Sequence, residues 1–412
     1  MIDFDEFLLT DLNESKNTHM THIEDRVIYG GVNGTREAIF ALRDLRDMLG
    51  GVKDGSVSVK WDGAPAIFCG TDPSDGKFFV AKKGIFNKNP KIYKTNKDID
   101  DDTSGALNKK MKLALQYLPD LGIKGVIQGD FLYGPGDLSK QKIKGKKYVT
   151  FHPNTIVYAV PDDTPSATEI KRAKIGIVWH TTYTGNSFES MRASYGVDVK
   201  RLRKSPNVWS QDAMLKNAMN ATMSKKDTDT VNEYLSEIGR VFNRIAGSTL
   251  RQLEANKDLA QHIEQHSNTF VRAGQIPPNP RRRVAALMRF INNKYKKEIA
   301  LRKTEKGKAG QQKKLDALLD FFSPRNRSSL EQMFDLQRLI VLVKLKLINI
   351  LNRLNKLDTF VKTRNGFKTT GQEGYVAIDR LGGDAVKIVD RLEFSYNNFS
   401  PNVLKGWDKA GR

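Results

Sequence analysis

The chain has 412 residues, 28% of them charged and 39% hydrophobic, which suits a globular protein of one large domain with an insertion, or of two to three domains. Lysine and arginine number 68 against 47 acids, a net charge of +21 with a pI near 9.7, so the expected partner is a polyanion, most simply nucleic acid. A single cysteine, Cys69, excludes an internal disulfide and a cysteine-based zinc site; the histidines form no HExxH pattern, and no apolar run reaches membrane length, so the expectation is a cytoplasmic monomer without membrane attachment.

The N-terminal stretch MIDFDEFLLTDLNESK is acidic and lacks the core of a signal peptide. Residues 35–49 place Ile39, Leu42, Leu45 and Leu49 on one helical face, and Gly50-Gly51 ends the helix. From Ser56 the hydrophobic period changes to two. SVSVKWD, AIFCG and FFVAKKG predict strands, with turns at Asp62-Gly63 and Asp75-Gly76. Residues 108–118 predict a helix, and GVIQGDFLYG, TIVYAVP and KIGIVWHTTYTG predict further strands rich in Val, Ile and aromatics. From about Ser205 helical patterning takes over. Residues 232–245, 283–301, 313–322 and 330–357 are amphipathic, and Pro277-Pro278-Asn279-Pro280 breaks the block in two. Strand signals return at residues 374–378 and 385–389. The expected class is α+β: an antiparallel sheet body over residues 1–200 and 358–412, interrupted by a basic, all-helical insertion over 201–357.

Lys60-Trp61-Asp62-Gly63 closes the strand SVSVK. A lysine at a strand end projects into a cleft, and one whose pKa is lowered by burial or neighbouring cations is a neutral nucleophile. By itself the string fits a hairpin turn with a surface lysine equally well. More chemistry-bearing strands follow in order: Phe78 to Gly84 (FFVAKKG), a strand into a basic-Gly turn; QGDFLYG, with one acid, Asp130; the apolar strand around Tyr158; and, after the helical block, Glu373-Gly374-Tyr375-Val376 and Val386-Lys387-Ile388-Val389.

KWDG, AKKG, QGDFLYG, TIVYAV, EGYVAI and AVKIV together resemble, in order and strand context, the nucleotidyltransferase superfamily of ATP-dependent RNA and DNA ligases and mRNA capping enzymes. The resemblance covers residues 56–185 and 370–390, and the chain also has the look of proteins of large tailed phages, for which the compartment would be the host cytoplasm. It implies an ATP-grasp-like ligase fold, ATP and Mg²⁺ as cofactors, and a lysyl–AMP intermediate on Lys60. AMP would then pass to a 5′-phosphate and be displaced by a 3′-hydroxyl. It further implies nucleotide contacts from Asp62, Gly63, Lys83, Asp130, Glu373 and Lys387, a metal held by Asp130 and Glu373, and an adenine stacked on Tyr158 or Phe151. Two rivals are a GTP-using capping-type enzyme and a nucleic-acid-binding or virion protein on a retired ligase fold.

Several positions depart from the family pattern. Pro65 stands where many ligases and capping enzymes carry arginine, Asp130 where Glu is usual, and Lys387 lacks the second lysine of the last motif. The few residues after Lys387 leave no room for a C-terminal OB-fold, which favours an RNA ligase over a DNA ligase or capping enzyme. In the helical insertion, Arg281, Arg282 and Arg283, then Lys296 and Lys297, and the cluster from Arg302 to Lys308 would hold nucleic-acid phosphates without reading sequence. His152 and His180 are expected to be structural hydrogen-bonding groups.

Overall fold

The computed structural model describes residues 22–52, 56–215, 223–354, 357–378 and 385–408; the acidic N-terminal stretch lies outside them. Helices α1 (Arg26–Tyr29) and α2 (Gly31–Leu49) lead into β1 (Ser56–Lys60), β2 (Ala66–Thr71), β3 (Phe78–Ala81) and β4 (Ile92–Tyr93). After α3 (Asn96–Asp102) and α4 (Gly105–Tyr117) come β5 (Val126–Tyr133), β6 (Leu138–Ile143), β7 (Lys146–Phe151), β8 (Ile156–Pro161), α5 (Pro165–Arg172), β9 (Ile175–Thr184), β10 (Arg192–Tyr195) and β11 (Val208–Asp212). A helical run follows: α6 (Lys225–Arg244), α7 (Gly247–Ala255), α8 (Lys257–Arg272), α9 (Pro280–Ala300), α10 (Glu305–Asp320) and α11 (Pro324–Asn352). The chain then forms β12 (Asp358–Thr363), β13 (Gly366–Thr369), β14 (Gly374–Ile378), β15 (Ala385–Ile388), α12 (Arg391–Phe399) and β16 (Val403–Leu404).

The strands make three sheets. One is β1-β14-β15; the second is β10-β9-β5-β2-β3-β4, with β11 on β9; the third is β13-β12-β8-β7-β6, with β16 on β12. Pairing is antiparallel throughout the described residues except between β9 and β11. The class is thus mixed α and β with antiparallel sheets, as expected. Asp75-Gly76 turns β2 into β3, with Gly76 at φ +72. Asp62-Gly63 is no hairpin turn: β1 and β2 lie in different sheets, so the KWDG segment crosses between sheets instead of folding back.

The small sheet positions the site through strand alternation. Val57 and Val59 of β1, Tyr375 of β14 and Ile388 of β15 share one face and pack into the core of α2, α6 and α11, beside Leu42, Leu235 and Ile340. Each such side chain, fully buried, contributes roughly 1.5–3 kcal/mol. Ser58 and Lys60 therefore turn to the opposite face. The helices are the backing of the sheet that carries Lys60, and α2 belongs with them. The boundary expected at residue 200 also moves, because β11 rejoins the large sheet before the helices begin at Lys225.

Candidate functional site

Lys60 pairs across the ladder with Gly374, which brings Glu373 to the end of the same sheet. Lys60 Nζ donates to Glu373 Oε1, joining residues 313 apart in the chain. A side chain at Gly374 would put Cβ 2.5 Å from a Val389 methyl, so this rung requires glycine. Lys387 sits opposite Val376, itself opposite Ser58, and so shares the sheet face of Lys60.

Asp130 arrives from the large sheet, where it pairs with Ala66. A Cβ on Gly63 would lie 2.5 Å from the Asp130 Cβ, so glycine in the KWDG segment is what lets the Asp130 strand come this close. His180 reaches Asp130 from β9, Nε2 to Oδ2 3.7 Å, at an irregularity in the β5–β9 pairing where an extra residue is accommodated. Sequence periodicity had no means to reveal this, because a bulge breaks the period.

The acids govern the lysine. Burial pushes the Glu373 carboxyl up to about 7, against the pull of Lys60. Burial also presses on the Lys60 ammonium, but Glu373, followed by Asp62 and Asp130, outweighs it and holds its pKa above the ordinary lysine value. The expectation of a lysine with a lowered pKa is therefore corrected for this state: Lys60 rests as a cation beside Glu373, Asp62 and Asp130.

Asp62 is also corrected. It is buried, and its carboxylate accepts from Asn154 Nδ2 at 2.7 Å, Thr155 N at 2.6 Å and Ile156 N at 2.8 Å. Those bonds engage both oxygens in anchoring the crossover on the start of β8, so Asp62 holds the loop in place. Tyr158 and Phe151 are likewise not adenine platforms. Both rings are fully buried; Tyr158 is stacked on Trp61 with centroids 4.8 Å apart and on Phe151 at 5.4 Å, and its hydroxyl accepts from Asp62 N. Lys83 is exposed in the turn after β3, while its neighbour Lys82 pairs with Asp102 at 2.9 Å. His152 hydrogen-bonds the Thr155 carbonyl at 3.1 Å, a structural role as expected.

The C-terminal segment braces both halves of the site, which no motif foretold. Glu393 of α12 accepts from Thr370 Oγ1 and Gly371 N, just before Glu373. Lys405 Nζ donates to Thr155 Oγ1 at 2.8 Å, beside the Asp62 anchor.

On α9, Arg281, Arg282, Lys296 and Lys297 are exposed, Arg281 lying 3.6 Å from Glu331. Arg283 is not a phosphate contact: it is buried, donates to Ser267 Oγ at 2.8 Å, and its guanidinium lies 4.0 Å over the Phe334 ring. A cavity of about 740 Å³ lies among α7, α8 and the α10–α11 junction; another, beside Asp62 and Glu373, is far smaller. Among the described residues no group of three or more His, Cys, Asp or Glu side chains is arranged to hold a metal ion, and no helix is long and apolar enough to cross a membrane.

No curated protein and no solved structure matches the chain. Residues 17–403 match the model of a family of unknown function, DUF6267. Since that match runs over nearly the whole length, the chain belongs to this family.

Proposed function

We propose that the chain is a covalent nucleotidyltransferase: an ATP-dependent polynucleotide ligase, with RNA ends preferred over DNA, in which Lys60 takes up AMP and passes it to a 5′-phosphate. The observation that carries this proposal is the meeting of Lys60, Asp130 and Glu373, drawn from three separate motifs and two sheets, around one ammonium. A chance surface lysine has no reason to gather two acids from distant parts of the chain.

In the resting state Lys60 is protonated and cannot attack. Asp130 and Glu373 are the residues that would hold Mg²⁺ together with substrate phosphates. Held there, the ion would supply positive charge against the phosphates and would draw on the carboxylates that keep Lys60 protonated. For the transfer, the Lys60 ammonium would give its proton to solvent, its Nζ would bond to the α-phosphorus, and the bond to the pyrophosphate oxygen would break, releasing pyrophosphate. Lys387, on the same sheet face, is the cation assigned to the departing charge.

The test is covalent labelling. Protein is incubated with Mg²⁺ and α-labelled ATP or, separately, GTP, and run on a denaturing gel beside Lys60→Ala. An acid-labile label from ATP that disappears in the variant is expected. A label from GTP alone would move the protein to the capping class. Absence of label from folded protein whose intact mass shows no bound nucleotide would sink the enzymatic proposal. A retired binding protein would then be favoured, in keeping with the small cavity beside Glu373.

A further inference from the structure

Among the described residues, four large aromatic side chains are notably exposed, and three of them, Tyr396 (38%), Phe399 (52%) and Trp407 (64%), fall within one short stretch at the C-terminal end. Tyr396 and Phe399 are three apart on α12 and so share a helix face. This is the same segment that braces the site: Lys405 holds Thr155, and Gly406 N donates to the Asn154 carbonyl at 2.6 Å, beside the residue that binds Asp62. Trp407 follows directly.

The surroundings are basic. Lys368 Nζ lies 4.5 Å from the Tyr396 ring centroid. Thr363 pairs with Val403, which brings the exposed Arg364 to the strand just before Trp407. The segment's own acids are turned to other tasks: Asp390 caps α12, Glu393 holds Thr370 and Gly371, and Asp408 accepts from Lys405 N. Exposed rings flanked by cations, with the local acids engaged, suit flat bases on a phosphate backbone better than an apolar peptide.

We propose that this face, formed by Tyr396, Phe399 and Trp407 with Lys368 and Arg364, docks the single-stranded end of a polynucleotide next to the Lys60 site. The assignment of a polynucleotide substrate rests on the function proposed above, but the docking itself is measured without nucleotide transfer. Fluorescence anisotropy is recorded with 5′-phosphorylated single-stranded RNA and DNA oligonucleotides, without ATP, on the full chain and on a Tyr396→Ala/Phe399→Ala/Trp407→Ala variant. Loss of the three rings is expected to weaken binding by roughly 30-fold or more, with the salt dependence unchanged. Arg364→Ala/Lys368→Ala is expected to reduce the slope of log Kd against log salt by about 1.

Should the triple variant fail to fold, the native chain decides: Trp407 emission falls on addition of the oligonucleotide, and Trp407→Phe abolishes the quench while keeping most of the affinity. Unchanged affinity in the triple variant, no quench in the native chain, or equal preference for duplex overturns the docking surface. A positive labelling result with unchanged binding would remove this surface alone. A negative labelling result with ring-dependent binding would remove the ligase alone.

Discussion

Two clusters of buried charge, one around Glu24 and Asp25 and one around Lys60, are balanced differently. Around Glu24 and Asp25, two cations answer the acids: Lys344 Nζ lies 2.7 Å from Glu24, and Arg391 lies 3.0 Å from Asp25 and 3.7 Å from Glu24. Arg391 also donates to Asn268, and Tyr29 to Glu264, so most of the cluster is hydrogen-bonded within the protein. Around Lys60, one ammonium faces Glu373, Asp62 and Asp130, with only Asp62 fully committed to protein donors. The first arrangement is closed and ties the N-terminal turn, α8, α11 and α12 together. The second gathers more acids than cations at a partly open lysine, and the proposed metal site rests on that contrast.

The sharpest way to break that contrast is to remove the cation from each. Lys344→Ala leaves Glu24 buried without its partner and is expected to cost about 3–5 kcal/mol, read from the urea midpoint. Glu24→Leu/Lys344→Met should recover most of the loss, since a buried pair can be replaced by apolar packing. Lys60→Ala should move stability by no more than about 1 kcal/mol, because Glu373 already holds its proton to about 7 and stays neutral at little cost. If Lys60→Ala proved as costly as Lys344→Ala, the lysine would be a brace as well.

A smaller effect separates neighbours on α9. Successive helical residues point about 100° apart, so three consecutive arginines cannot all face solvent on a helix packed along one side. Arg283→Ala removes the guanidinium from Phe334 and Ser267 and should cost about 2–3 kcal/mol. Arg281→Ala, at an exposed pair with Glu331, should stay within about 0.5 kcal/mol, yet weaken nucleic-acid binding if the arm touches phosphates. Equal thermal shifts in the two variants would contradict the burial of Arg283.

The same geometry explains what the sequence conceals. β14 and the strands around Asp130 were legible because Val, Ile and aromatics alternate there, and the partnership of Lys60 with Glu373 was legible only through motif order, never from spacing. Tyr158 looked available because a lone strand does not reveal which of its faces is covered; both are. The β6–β7 hairpin was missed because Lys140, Lys142, Lys146 and Lys147 mask the period, and because its turn places Lys144 at φ 48 ahead of Gly145, without the usual Asn or Asp. Glu24 and Lys344 gave no sign of each other. Neither residue belongs to a motif, and only the fold brings them within 2.7 Å.

The smallest expected effect is in pH. Burial raises Asp25 from 3.8 to about 6, although Arg391 pulls it down. Glu24 ends at about 2 instead of 4.5: burial raises it, but Lys344, His22 and Arg391 together outweigh that cost. Their contributions therefore run in opposite directions. As pH rises from about 2 to 4.5 the unfolded chain binds more protons at Glu24 than the folded one, and stability increases. Between about 3.8 and 6 the folded chain keeps the Asp25 proton that the unfolded chain has lost, and stability decreases. Asp25→Asn should remove the Asp25 share of that fall, an amount on the order of 1 kcal/mol in the urea midpoint between pH 4 and 6.5, and leave the share of Glu373, whose carboxyl is raised to about 7. The Asp25 share should persist in Lys60→Ala, whose acids belong to the other cluster. An Asp25→Asn profile that still falls as steeply as the native one across this window would mean that Asp25 is ionised in the fold, with Arg391 rather than burial deciding its state.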